Sequence, residues 1–219
     1  MKLFLDSAHL PDIEYGLETG LIEGITTNPT HLSKEGEKST ELLKKICALM
    51  MPHDVSIEVT EKNALDVYNQ AHRIADLAEN VVVKIPCMPD YVPVIKKLVI
   101  EGIAVNITLL FSVVQGLLMA KLGVKYISPF VGRLDDIDTN GIELIQDLKK
   151  IKNIYNFKTE ILAASLRGPL HVHQAAMAGA DCATVPPALF KLLLHHPLSE
   201  KGVLLFDQDW KKLNMQTFP

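Results

Sequence analysis

Eight short apolar runs recur along the chain, and this repetition limits the fold more than any other feature. The runs are KLFLD, GITT, VSIEVT, VVVKIP, AVNIT, KYISPFV, EILAAS and CATVP. They are apolar on both faces, which is typical of a parallel sheet covered by helices. Segments with helical periodicity separate them, as in residues 64–78 and 142–155. This pattern predicts a (β/α)8 barrel with an extra C-terminal helix after Pro197, in one domain spanning residues 1–219. A doubly wound open sheet is the alternative.

The composition is that of a folded protein with a sizeable core, since 48% of the residues are hydrophobic and 22% are charged. A net charge of −4 disfavours nucleic acid and anionic membranes as partners. Cys47, Cys87 and Cys182 are odd in number and lack metal-ligand spacing, which predicts reduced thiols. Asp6 interrupts the apolar start of the chain, so we expect no signal peptide and a cytoplasmic protein.

Residues 102–120 carry no formal charge and are long enough to span a bilayer. Polar residues interrupt this stretch at several points, including Asn106, Thr108 and Gln115. We therefore expect a strand followed by a helix that has Ser112 as its N-cap, and no membrane span.

Polar residues gather where the predicted strands end, which is where the active sites of (β/α)8 barrels lie. They are Asp6, Thr26, Thr27, Asn28, Glu58, Lys84, Asn106, Thr108, Ser128, Arg133, Ser165 and Arg167. A single residue of this kind is ordinarily a cap or makes an internal hydrogen bond. A polar residue at the end of nearly every strand predicts that these side chains share one pocket.

Lys84 is the most unusual of these residues because three valines precede it directly. A buried lysine loses hydration, which lowers its pKa and frees the amine as a nucleophile. The ordinary alternative is a lysine whose stem reaches water. Asp6 and Glu58 supply the carboxylates that acid–base steps at a Schiff base need, and Arg133 with Arg167 suits a phosphate group.

No P-loop, dinucleotide-binding glycine motif or zinc-binding arrangement occurs in the sequence, so we expect neither a cofactor nor a metal. The pairs His171 with His173 and His195 with His196 lie on predicted helices or their ends. We interpret them as solvated or capping residues.

The segments LFLDSA, GITTNPT, SIEVT, VVVKIP, VNITLLFS, YISPFVGRLDD, ILAASLRGP and GADCATVP cover nearly the whole chain in order. Through them the sequence resembles the small-subunit transaldolase family, which also contains fructose-6-phosphate aldolases. The resemblance implies transfer of a dihydroxyacetone unit between sugar phosphates without a cofactor. It also implies a homo-oligomer, either a pentamer or a decamer, in which the C-terminal helix reaches a neighbour.

The resemblance further implies a role for each polar strand-end residue. Lys84 forms the Schiff base, and Asp6 is the acid/base at the substrate hydroxyl. Glu58 and Thr108 orient the catalytic water and relay protons at the imine. The residues implied in substrate binding are Asn28, Asn106 and Ser128 at the dihydroxyacetone hydroxyls and Arg133, Ser165 and Arg167 at the phosphate.

Two positions distinguish the family's activities. Aldolases similar to this chain carry glutamine in place of Glu58 and tyrosine in place of Phe130, whereas this chain has the transaldolase residue at both. A phenol is able to donate the proton that releases dihydroxyacetone to water, and Phe130 is not. We therefore interpret the chain as a transaldolase. The alternatives are a fructose-6-phosphate aldolase and a non-catalytic barrel that binds sugar phosphates.

Overall fold

A computed structural model describes residues 1–35 and 39–212, and its eight strands form a closed parallel barrel in which β8 pairs with β1. The predicted fold class is confirmed, and the open sheet is excluded. The strands are β1 Lys2–Asp6, β2 Gly24–Thr26, β3 Asp54–Glu58, β4 Val81–Pro86, β5 Val105–Leu110, β6 Tyr126–Pro129, β7 Glu160–Ala163 and β8 Cys182–Val185.

Helices surround the barrel, and the described residues contain three more α-helices than the eight that alternate with the strands, as well as a 3₁₀ helix at Pro89–Tyr91. The helices are α1 Leu10–Glu18, α2 Pro29–Leu32, α3 Ser39–Met50, α4 Ala64–Ala75, α5 Val92–Ile100, α6 Val113–Leu122, α7 Val131–Asp135, α8 Gly141–Tyr155, α9 Pro169–Met177, α10 Pro187–Leu193 and α11 Pro197–Lys212. The short helices α2 and α7 were not predicted, and they follow β2 and β6 at the carboxyl end of the barrel.

Apolar side chains fill the amino-terminal half of the barrel. A cluster that includes Phe4, Val82, Tyr126 and Leu162 is fully buried there, and the rings of Phe4 and Tyr126 meet edge to face at 5.8 Å. Gly24 makes room for this cluster, since a Cβ at that position would lie 2.5 Å from the Phe4 ring. Because side chains two apart in a strand share a face, the residues two positions later also point inward, but above this cluster.

The uncharged stretch folds as expected, into β5 and then α6. Ser112 caps α6 in a reciprocal capping box with Gln115, and Gly123 ends the helix with a φ of 85°. In the part of the chain that the structure describes, no helix has the length and apolar character needed to cross a membrane.

The predicted extra helix is α11, and its described side chains are not buried. Leu213, the last residue of the predicted segment, lies outside the described residues. The assignment of residues 1–219 to one domain stays a prediction.

Candidate active site

Lys84 and Glu58 lie side by side because β3 and β4 pair in a register that places them opposite each other. The Lys84 side chain is buried, and its Nζ lies 3.1 Å from Glu58 Oε2. Nζ also donates a hydrogen bond of 3.0 Å to the Thr27 carbonyl oxygen at the end of β2. The amine is thus held by two acceptors at the carboxyl end of the barrel, and it does not snorkel to water.

Asp6 is the last residue of β1 and lies at the same carboxyl end of the barrel. Thr26 donates a hydrogen bond of 2.8 Å to Asp6 Oδ1, and Thr184 lies 2.7 Å behind the Thr26 hydroxyl. His31 Nε2 lies 3.3 Å from the second carboxylate oxygen, Oδ2. Burial raises the pKa of Asp6, but the His31 contact and the charge of Lys84 outweigh it, and the pKa lies below its ordinary value.

Buried polar side chains from β5 and β6 form the floor of the site. Asn106 is opposite Lys84 in the register of β4 and β5. It donates to Ser56 Oγ at 3.1 Å and accepts from Ser128 Oγ at 2.7 Å. The Thr108 hydroxyl is also buried, and it has no hydrogen-bond partner among the described residues.

A third part of the site lies at the ends of β6 and β7. The Arg133 guanidinium lies 4.8 Å from the centroid of the Phe130 ring, which in turn packs edge to face against Phe111 at 5.7 Å. Ser165 follows β7 with a φ of 60°, and its carbonyl accepts a hydrogen bond from the Gly132 N–H at 3.0 Å. The loops after these two strands are therefore joined directly.

A cavity of about 450 Å³ opens between these groups. Nine of the eleven residues predicted for the site line it: Asp6, Asn28, Glu58, Lys84, Thr108, Ser128, Phe130, Arg133 and Ser165. Asn106 lies beneath its floor, bonded to Ser128. A volume of this size is typical of a site for a small molecule.

Arg167 is the second predicted site residue, after Asn106, that does not line the cavity. Its guanidinium donates to Asp136 Oδ2 at 2.7 Å, and about half of each side chain is exposed. The Arg167 backbone N–H donates to His171 Nδ1, while His171 Nε2 lies 3.2 Å from Asp135. The side chain nevertheless passes over Gly132, since a Cβ there would lie 2.8 Å from Arg167 Nε.

His31 lines the cavity and was missed by the sequence reasoning, which considered only the paired histidines. Asn28 is the N-cap of α2, and its side chain accepts a hydrogen bond from the His31 N–H at 3.0 Å. The cap starts the short helix that brings His31 to Asp6 at the end of β1. The sequence does place a histidine three residues after Asn28, a polar strand end. However, α2 has only four residues, too few for hydrophobic periodicity to predict the helix that carries His31.

The family model described as Transaldolase/Fructose-6-phosphate aldolase matches residues 3–217. The chain belongs to this family. A Lactiplantibacillus plantarum relative named a probable transaldolase is 50% identical over 96% of this chain and 97% of its own length. Probable transaldolases of Leptospira biflexa and Thermoplasma volcanium are each 44% identical, over 98% of this chain and 100% and 97% of theirs.

A solved structure shares the barrel architecture with this member of the transaldolase and aldolase family. It is a crystal structure of a Pediococcus acidilactici protein assigned as a lactate oxidase. The TM-score is 0.62 at 13% identity, with 89% of this chain and 65% of that chain covered. At this identity the likeness concerns the fold alone.

The paired histidines were interpreted as capping or solvated residues, and the structure supports this for His195 and His196. His196 Nδ1 accepts from the Leu198 N–H at the start of α11, and exposed His195 contacts Glu200. His171 instead links two loops of this family member, as described above. Within residues 1–35 and 39–212, no group of three or more potential ligands is arranged to hold a metal ion.

Proposed function

We propose that this chain is a transaldolase that transfers a dihydroxyacetone unit from fructose 6-phosphate or sedoheptulose 7-phosphate to an aldose phosphate. The reaction proceeds through a Schiff base on Lys84. The observation that best supports this is the buried Lys84 amine, held 3.1 Å from the Glu58 carboxylate in a family member's cavity. Asp6 supplies a second, separately bonded carboxylate in the same cavity.

Schiff-base formation requires a neutral amine and the removal of one water molecule. Glu58 is placed to accept a proton from the Lys84 ammonium, after which the amine attacks the ketone carbon of the substrate. The resulting carbinolamine loses its hydroxyl as water once that oxygen is protonated. Glu58 returns the proton, and the Thr108 hydroxyl, which has no partner among the described residues, orients the departing water.

Carbon–carbon cleavage requires a base at the hydroxyl two carbons from the imine. Asp6 removes that proton, the carbon–carbon bond breaks, and its electron pair enters the iminium to form an enamine. The aldose phosphate leaves as an aldehyde. Asp6 is suited to this step because its contacts outweigh the effect of burial on its pKa, so the buried carboxylate stays ionised near neutral pH.

Transfer is the reverse of cleavage with a different aldehyde. The enamine carbon attacks the acceptor aldehyde, Asp6 returns its proton to the new hydroxyl, and water then hydrolyses the Schiff base. Phe130 lines the cavity at the end of β6 and carries no proton donor. The enamine is therefore not protonated from this side, which favours the acceptor over release of free dihydroxyacetone.

The phosphate group is bound where the β6 and β7 loops meet, with Arg133 and Ser165 as its ligands. Arg133 lines the cavity and accounts for most of this interaction. Arg167 contributes after its guanidinium leaves Asp136, an exchange that costs little because exposed ion pairs are worth only about 0–1 kcal/mol.

Borohydride reduction in the presence of fructose 6-phosphate tests the proposal. Peptide mass spectrometry should place a three-carbon unit on Lys84 in the wild type and on no lysine in Lys84→Met, whose fold is checked by circular dichroism. Labelling at another lysine would refute the mechanism, and no labelling would favour a non-catalytic sugar-phosphate barrel. Free dihydroxyacetone formed without an acceptor would favour a fructose-6-phosphate aldolase.

The same family resemblance leads us to propose a homo-oligomer, a pentamer or decamer. From the composition and the reduced cysteines we also propose the cytoplasm as its location. Apolar side chains on α11 support an assembly, because Leu198, Val203, Leu204 and Phe206 are all more than 60% exposed in one protomer. Light scattering coupled to size exclusion measures the subunit number directly. A monomer at micromolar concentration would contradict the proposal.

A further inference from the structure

His31 is the one histidine, among the described residues, that lines the cavity. Its position is fixed by the backbone, because Pro29 begins α2 and the Asn28 side chain caps it at the His31 N–H. The ring is three-quarters shielded from solvent, and its Nε2 lies 3.3 Å from Asp6 Oδ2.

The two oxygens of Asp6 are therefore contacted differently. Oδ1 accepts from the neutral Thr26 hydroxyl, which fixes the carboxylate plane. Oδ2 faces His31, whose ring N–H is a donor and gains a full charge when protonated. A donor of this kind stabilises the ionised carboxylate far more than the protonated one.

We propose that His31 is a positioning residue that keeps Asp6 ionised, and therefore active as a base, as the pH falls below neutrality. The proposal rests on the proposed transaldolase function for its kinetic readout only. The other ionisable groups facing this part of the cavity are Lys84, Glu58 and Arg133. Lys84 acts in the same direction as His31, but it is present in every variant compared, so a difference between the variants reports His31.

The test compares His31→Leu, which removes the donor, with His31→Gln, which places an amide N–H near the position of Nε2. The control is His9→Leu, because His9 pairs with Glu35 on the adjoining loops and does not contact Asp6. For each variant, kcat/KM for fructose 6-phosphate is measured from pH 4 to pH 8, since its pH dependence reports the free enzyme.

The acid limb of His31→Leu should move to higher pH. The limb should lie about one to two pH units above that of the wild type, the order expected for one lost hydrogen bond to a charged group. His31→Gln should lie between the two, and His9→Leu should match the wild type. A pH-independent loss in His31→Leu, a glutamine variant identical to it, or an equal shift in the control would each overturn the proposal.

A second measurement does not depend on turnover. Carbon-13 NMR of the Asp6 carboxyl, assigned by its absence in Asp6→Asn, should titrate at higher pH in His31→Leu than in the wild type. Coincident titrations would overturn the proposal even if the enzyme is a transaldolase. An inactive wild type with shifted titrations would refute the proposed function and leave the role of His31 standing.

Discussion

Arg133→Ala is the substitution that best separates phosphate recognition from the chemistry at Lys84. Arg133 lines the cavity at the end of β6, and no acidic side chain among the described residues forms an ion pair with it. The guanidinium lies over the Phe130 ring instead, at 4.8 Å from the centroid. Its charge is therefore available to a phosphorylated substrate.

Two interactions are lost in Arg133→Ala, and they differ in which substrates they affect. The cation–π contact with Phe130 is worth about 0.5–1 kcal/mol at an exposed site, and it is lost for every acceptor alike. The contact with a phosphate dianion is worth roughly 2–4 kcal/mol in transition-state binding and is lost only for phosphorylated acceptors. The preference for erythrose 4-phosphate over glyceraldehyde should therefore fall by about 30- to 1000-fold.

The acceptor value of kcat/KM is the right measurement, because in a ping-pong mechanism it reports only the reaction of the enamine with the acceptor. The phosphate on the donor then has no influence on the comparison. Arg73→Ala is the matched control, since Arg73 is an exposed arginine of α4 that does not line this cavity. An equal loss with both acceptors would refute the reasoning and make Arg133 a structural residue.

Three further predictions address the nucleophile, the proton donor and the barrel. Lys84→Met should lose turnover by several orders of magnitude while its far-ultraviolet circular dichroism is unchanged; residual activity near that of the wild type would exclude Lys84 as nucleophile. Phe130→Tyr should release dihydroxyacetone from fructose 6-phosphate alone, because positioned proton donors are worth about 10²–10⁴-fold, and transfer to erythrose 4-phosphate should fall in parallel. Burial raises the pKa of Asp181, but bonds from the Ile161 N–H and from Lys152 and Lys149 lower it more, so this ionised group stabilises the fold above about pH 4. The difference in urea midpoint between wild type and Asp181→Asn should shrink below that pH, and a constant difference would contradict the assignment.

The strands and their order were predictable because each is buried on both faces, so apolar runs mark them directly. VVVKIP is an example in which the predicted run and the strand coincide, residue for residue. The direction of Lys84 was predictable too, because side chains alternate between the two faces of a strand and Val82 and Lys84 therefore share the inner face. Since Val82 is part of the buried cluster inside the barrel, Lys84 lies inside the barrel as well, nearer its carboxyl end.

Contacts between loops were not predictable in the same way. Arg167 follows β7 as expected, yet it pairs with Asp136, the C-cap of the short helix α7 that follows a different strand. His31 likewise reaches Asp6 across two loops, from a helix of only four residues. Hydrophobic periodicity needs several turns to be recognised, and α2 and α7 have only four and five residues.

Backbone strain at the site is the feature that sequence patterns predict least, because it opposes local preference. Leu109 and Ser165 have φ values of 52° and 60°, in a region that costs a residue with a Cβ roughly 1–2 kcal/mol. Both residues line the cavity, at the ends of β5 and β7. Leu109 coincides with a register shift between Ile107 and Leu110, next to Thr108. Such conformations persist only where the surrounding structure enforces them. Backbone propensity favours glycine at both positions, yet the chain has leucine and serine there. These two unfavourable conformations therefore point to the same end of the barrel as the polar strand ends, and they do so independently of side-chain polarity.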